Sequence, residues 1–437
     1  MSMKTQLIAG TALLGALLAA PAIAEELTIA TVNNSDMIIM QELSKQWEKE
    51  TGNKLNWLVL EENVLRQRVT TDIATKGGQF DIITMGSFEA PLWGKTGWLT
   101  PLDDLPASYD LPDIFEPVRN ALSVDGHLVA VPFYAESSFT FYRKDLFEKA
   151  GLTMPDHPTY TQIGEFAAKL NDPAGGVYGI CLRGKPGWGE NMAFIGTMVN
   201  SWGGSYVNMD WQPQLTSEPW KKAVTWYIDT MTKYGPPGAT SNGHNENRAL
   251  FASGKCAMWV DATSAAGYIY NPSESKVAEK TAFTAAPAEV TPKGSGWNWA
   301  WSLAIPASST KADAAKSFLA WATSKDYVEL VGKTKGWVSA PPGTRASTYA
   351  NPDYIKAAPF AETTKNAVLT ADPTHATLEP VPYVGTFYMG IPEWQGIGTT
   401  IGQEIAAALA GTKTVDQALS EANASTEQAL KEAGYIN

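Results

Sequence analysis

Between residues 27 and 85 the chain switches repeatedly between the two hydrophobic periods a folded backbone can satisfy, and that alternation constrains its architecture most. Residues 27–32 form a short apolar run suited to a buried strand. Asn34, Ser35 and Asp36 then offer caps to a helix that places Met40, Leu43 and Trp47 on one stripe and stops at Gly52. Leu55, Trp57 and Val59 alternate as in a strand, and Leu65, Val69 and Ile73 make a second helical stripe ended by Gly77-Gly78. Residues 80–85 are apolar apart from Asp81 and Thr84, as a central parallel strand requires. Strand, helix, strand, helix, strand predicts a doubly wound α/β layout, in which ligands lie outside the carboxyl ends of the strands.

The same reading continues downstream. Residues 128–134 and 138–142 predict two nearly contiguous strands split at 135–137, followed by a helix over 144–150. Thr159 and Gln162 form a capping box before the next helix. Residues 177–182 predict a strand, 192–202 a helix, and Trp220, Val224, Tyr227 and Met231 a further helical stripe. Residues 256–260 read as a buried strand and 303–306 as a return strand, ahead of helices at 311–323 and 325–333 and an Ala-rich helical end. The chain therefore leaves one α/β lobe, builds another and comes back, which 437 residues at roughly 150 per domain can accommodate. The expected division is a signal segment at 1–24, a first lobe of 25–135 plus about 306–345, and a second of 136–305 plus about 346–437.

Lys4, the apolar stretch 7–20 and Ala22-Ile23-Ala24 have the layout of a cleaved secretory signal, so the expected product is exported to the periplasm. Two cysteines, Cys181 and Cys256, fall in the exported part; a disulfide and a pair of separate buried thiols both fit. The four histidines lack metal-ligand spacing, and no metal or cofactor is expected. The formal charge is −12 with no basic run, which argues against nucleic acid as a partner.

No nucleophile elbow, phosphate-binding glycine loop or His-Glu-x-x-His helix is present, so no enzymatic activity is expected. A glycosidase pair among Glu61, Glu62, Glu89 and Glu136 remains an alternative on composition alone. Polar groups gather where strands end: Asn34 and Ser35 after the first, Glu61-Glu62 after the second, Ser87-Phe88-Glu89 after the third, Glu136 at the lobe crossing and Asp261 after a buried strand. Many acceptors beside one strong donor, Arg183, suit a neutral hydroxyl-rich ligand better than an anion. Trp188, the segment Trp297-Asn298-Trp299 and Trp337 sit in polar or Gly-containing loops, where an indole can wall a ligand.

Several segments carry a resemblance: Phe80-Asp81-Ile82-Ile83, Gly97-Trp98-Leu99-Thr100-Pro101-Leu102, Val131-Pro132-Phe133-Tyr134 with Phe141-Tyr142-Arg143-Lys144-Asp145-Leu146-Phe147, and Phe251-Ala252-Ser253-Gly254-Lys255. Through them the chain resembles periplasmic solute-binding proteins of ATP-driven (ABC) importers, the family that includes maltodextrin-binding proteins. Leu60-Glu61-Glu62-Asn63-Val64-Leu65-Arg66 and Leu182-Arg183-Gly184-Lys185-Pro186-Gly187-Trp188-Gly189-Glu190-Asn191 resemble the sorbitol/mannitol-binding branch. The resemblance implies a two-lobed α/β fold with hinge crossings near 135, 305 and 345, a linear polyol held in the cleft, and a monomer that delivers it to permease subunits. It implies a ligand site of Asn34, Ser35, Glu62, Arg66, Ser87, Phe88, Glu89, Glu136, Arg183, Trp188, Asn191, Asp261, Trp297 and Trp337. A cyclic mono- or disaccharide on the same fold is the alternative. Alanine at Glu136 or Arg183 is expected to weaken polyol binding about tenfold or more with the fold intact.

Overall fold

A computed structural model of the chain describes residues 24–437, so the expected signal segment lies outside the described residues except for Ala24. Among the described residues ten strands form three sheets: β1 (Glu26–Val32), β2 (Lys54–Leu60), β3 (Ile82–Gly86), β4 (Ser123–Val124), β5 (His127–Leu128), β6 (Val131–Glu136), β7 (Ser138–Arg143), β8 (Met258–Ala262), β9 (Thr281–Ala285) and β10 (Trp299–Ala304). The main sheet runs β2-β1-β3-β10-β6, with β10 alone antiparallel to its neighbours. Ile29 at its centre faces Trp57 on one side and Ile82 on the other, and β3 and β6 are buried throughout. These are the continuous apolar runs that helix-covered parallel strands demand. The second sheet, β8-β7-β9, is antiparallel, while β4 and β5 form a separate small hairpin.

The chain passes from the first sheet to the second through Ser137 alone, between β6 and β7. It returns at β10, which corrects the crossing expected near 305: residues 299–304 belong to the first sheet. The return strand expected at 303–306 overlaps only the last two residues of β10, because the strand's first half is built from alternating indoles that read as loop aromatics. The last two helices, Trp394–Leu409 and Val415–Glu432, pack on each other and on helix Glu218–Tyr234, closing over the second lobe.

Two local expectations change. The helix expected from 34 to 52 is interrupted at Ser44, whose hydroxyl donates to Gln41 O at 2.8 Å, giving helices Ser35–Leu43 and Lys45–Thr51. Residues 177–182 form no strand but touch their neighbour at two points, Tyr178 opposite Cys256 and Cys181 opposite Trp259. The intervening N–H groups go elsewhere, Gly179 to Asn171 Oδ1 at 3.1 Å and Ile180 to Tyr234 O at 3.3 Å. Of the two possibilities for the cysteines, the structure has the disulfide, Cys181 to Cys256, which ties these segments together. The capping box of Thr159 and Gln162 is present as expected.

Candidate functional site

An interlobe cavity opens where β1, β2 and β6 end. Each of its walls follows from a local rule. Asn34 caps the helix after β1, its Oδ1 accepting from Met37 N at 2.9 Å, and this leaves Nδ2 free to donate to the Tyr134 hydroxyl at 3.1 Å. Glu61 caps the helix Glu62–Thr75, and Glu62 meets Arg66 one turn later, receiving Nε at 3.0 Å and Nη2 at 2.8 Å. β6 carries Tyr134 and Glu136 to the cavity, the Glu136 carboxylate accepting from the Ser264 hydroxyl.

The second lobe supplies Arg183, Lys185 and Glu190 from one Gly-rich segment, and His244 from the start of helix His244–Ala252. Between the lobes, Trp297, Trp299 and Trp301 line the cavity with indole surface at alternate positions leading into and along β10.

The charges are held in two clusters. Arg66 donates Nη1 to Glu89 Oε1 at 2.9 Å, and its guanidinium lies 3.9 Å from the Trp188 ring centre, 4.8 Å from Trp301 and 5.0 Å from Trp299. A cation so placed gains from the ring quadrupoles while the carboxylates fix its plane. Arg183 grips Asp261 through Nε at 2.9 Å and Nη2 at 2.6 Å, and gives Nη1 to Gly189 O at 2.9 Å. Beside Arg183 the Asp261 carboxyl is held far below the usual carboxylate range despite its burial.

The cavity acids behave differently. Burial pushes Glu136 up to about 8, against the bond from Ser264 and the pull of Arg183. Burial also raises Glu190, helped by the charge of Glu62. The site thus holds more carboxyl groups than cations, an environment hostile to an anionic ligand and rich in partners for hydroxyls.

Of the residues expected at the site, Asn34, Glu62, Arg66, Glu136, Arg183 and Trp297 come together on the cavity wall. The others stand elsewhere, each for a local reason. Asp261 is fully buried and saturated, taking both Arg183 contacts, His244 Nδ1 at 2.8 Å, Trp259 Nε1 at 3.2 Å and Ala262 N at 2.7 Å, so it positions Arg183. Glu89 lies behind Arg66 and also accepts from Gly86 N at 3.0 Å.

Trp188 covers the far face of Arg66 and packs on Phe88, ring centres 4.9 Å apart, so neither ring reaches the cavity. Asn191 uses its amide to hold the loop, donating to Gly402 O at 2.8 Å and accepting from Gly187 N at 3.2 Å. Ser87 is buried, its hydroxyl accepting from Ala300 N at 3.4 Å. Ser35, turned one position further round its helix than Asn34, accepts from Arg248 Nη1 at 2.5 Å in a neighbouring recess. Trp337, half-buried, packs against Gly332 of helix Lys325–Lys335, away from the cavity. Conversely, Tyr134, Lys185, Glu190, His244, Trp299 and Trp301 line it although they were absent from the expected set. The period-2 spacing of Trp297, Trp299 and Trp301 was the available signal for the indoles.

The two lobes meet around this cavity through polar contacts. Lys185 Nζ reaches Glu61 Oε1 at 2.6 Å, Asn63 Nδ2 donates to Pro186 O at 3.2 Å, and Asn245 Nδ2 to Asn33 O at 2.9 Å. Gly86, the last residue of β3, sets the position of the Trp299 indole, since a Cβ there would stand 1.8 Å from the ring. Gly86→Ala is therefore expected to displace Trp299 and cost about 1–3 kcal/mol of stability. A urea melt matching the parent's would refute this account of the wall.

Residues 33–329 match the family described as bacterial extracellular solute-binding protein. The chain is 58% identical over 413 residues to a mannitol-binding protein of Pseudomonas aeruginosa, covering 94% of each. Among solved structures, an ABC transporter solute-binding protein from Agrobacterium vitis with bound D-mannitol superposes with a TM-score of 0.94 at 57% identity, over 95% of this chain and all of that one. A solute-binding protein from Agrobacterium radiobacter in complex with ribitol gives a TM-score of 0.82 at 27% identity, over 94% of this chain and all of the other.

Proposed function

Since the chain belongs to the bacterial extracellular solute-binding protein family, we propose that it is the substrate-binding component of an ABC importer and captures a linear polyol, D-mannitol foremost, between its two lobes. The observation that carries the reading is the cavity itself: carboxyl groups and guanidinium N–H donors face one another across indole walls, the complement of a chain in which every carbon bears a hydroxyl on one side and C–H on another.

In this reading Glu62, Glu136 and Glu190 accept from hydroxyls, Arg183, Arg66 and Asn34 donate, and Trp297 and Trp299 face the C–H surface. Asp261 and Glu89 act through the arginines they hold. A polyol hydroxyl left without its partner loses about 1–3 kcal/mol, and this separates epimers. The first lobe comprises 25–136 with 299–345 and the second 138–298 with 346–437, and closure about their crossings shuts water out of the bonds just described. The ligand leaves chemically unchanged to permease subunits, from a monomer exported by cleavage after Ala24.

Saturating D-mannitol, at about a hundred times its Kd, is expected to raise the melting temperature by about 5 °C. Sorbitol and ribitol should give smaller shifts, and glucose and maltose none. Stabilisation by glucose or maltose without any by D-mannitol would transfer the site to cyclic sugars, and release of product from a glycoside would make the protein an enzyme.

A further inference from the structure

We infer that His244 presents an unprotonated Nε2 to the cavity and accepts a hydrogen bond there from a hydroxyl of the ligand, so that the site selects a hydroxyl over a carbonyl or ring oxygen at that place. This rests on the polyol reading above and deepens it.

The tautomer follows from what surrounds the ring. Nδ1 stands 2.8 Å from Asp261 Oδ1, and Asp261 already takes two N–H groups of Arg183, the Trp259 indole N–H and the Ala262 amide. A bare Nδ1 would set its lone pair against a carboxylate oxygen at that distance, so Nδ1 must carry the proton. The Arg183 Nη2 contact to the same nitrogen is longer, 3.4 Å, and Nη2 already serves Asp261 at 2.6 Å. Burial keeps the imidazole below its usual pKa, so the neutral ring has one proton to place and Nε2 has none.

No protein group described in the structure donates to Nε2, while the residue lines the cavity and its side chain retains 18% exposure. The ring is held in this attitude from the backbone, where His244 N donates to Glu190 Oε2 at 3.3 Å and Gly243 N to Glu246 Oε2 at 2.9 Å. Among cavity acids raised by burial and, after it, by neighbouring carboxylates, Glu136 and Glu190, a neutral imidazole adds an acceptor without adding negative charge. A hydroxyl can donate to it; an ether or carbonyl oxygen would oppose lone pair to lone pair.

Two variants separate ligand contact from support of Asp261. His244→Asn puts an amide N–H where Nδ1 was and nothing where Nε2 was; His244→Gln puts an amide oxygen near Nε2 and leaves Asp261 one donor short. Calorimetry with D-mannitol should find His244→Asn at least about tenfold weaker than the parent and His244→Gln less affected. A residue that only buttressed Asp261 would give the reverse order. Two-bond ¹H–¹⁵N spectra of the parent should show Nε2 unprotonated when free and shifted when D-mannitol is added. The reverse order of affinities, an unchanged His244→Asn, or a proton on Nε2 would overturn the inference. If the parent protein itself binds no linear polyol, it is the polyol reading that fails, and the spectrum still reports the tautomer.

Discussion

Replacing Arg183 with alanine is expected to abolish measurable polyol binding and to destabilise the protein by about 3–5 kcal/mol. The sequence alone suggests an affinity effect with the fold intact, but the surroundings of Asp261 require both. Asp261 has no exposure and stays ionised because Arg183 neutralises it through two hydrogen bonds. Without the guanidinium its charge keeps only N–H donors from His244, Trp259 and Ala262, in a place water does not reach. The loop would loosen as well, because Nη1 also holds Gly189 O. Arg183→Ala with Asp261→Asn removes the stranded charge and should recover much of the stability while restoring no binding. Urea melts and calorimetry on the two variants read the two effects separately. A single variant as stable as the parent would mean that the ion pair does not support the fold.

The first lobe was legible because β1 and β3 are buried along nearly their whole length, β2 alternates, and glycines stand at or just past two helix ends, Gly52 and Gly77, so period and punctuation agree from 27 to 86. β10 was misplaced because Trp297 and Trp299 read as loop aromatics, although with Trp301 their alternation is that of a strand with one indole face. At the site, sequence located the right segments but could not rank depth within them. Glu62 and Arg66 face the cavity while Glu89 stands behind, a distinction made by side chains converging on one guanidinium from separate strand ends. Trp188 shows the same limit: its Gly-rich loop is the correct one, yet the indole turns inward to cover Arg66. His244 had no local signal, since its role depends on an aspartate brought alongside by β8.

The buried carboxyl groups give the second large effect, on pH dependence. Glu136 rises from 4.5 to about 8 on burial, so between these values the native protein binds a proton that the unfolded chain has released. Stability from this group is therefore complete below pH 4.5 and lost as pH rises towards 8, on the order of a few kcal/mol over the window. Glu190 acts in the same direction. Asp261, held low, loses its contribution only in strong acid, and His244, held below 6.5, opposes the acids by favouring the native state as pH rises through that value. Glu136→Gln isolates the first of these, keeping shape and hydrogen-bonding capacity while removing the titration.

Urea melts of the ligand-free protein at about pH 5, 6.5 and 8 should show the parent losing stability relative to Glu136→Gln, with the gap widest at the alkaline end. Saturating D-mannitol should narrow that gap, because a hydroxyl donating to Glu136 stabilises its ionised form and draws the pKa back down. The same coupling makes binding near pH 7 release a proton from the closed ligand-free form, visible as a calorimetric heat that changes with the ionisation enthalpy of the buffer. Parallel pH profiles for parent and variant would mean that the Glu136 carboxyl reaches water through the cleft, and that the lobes stand open before the ligand arrives.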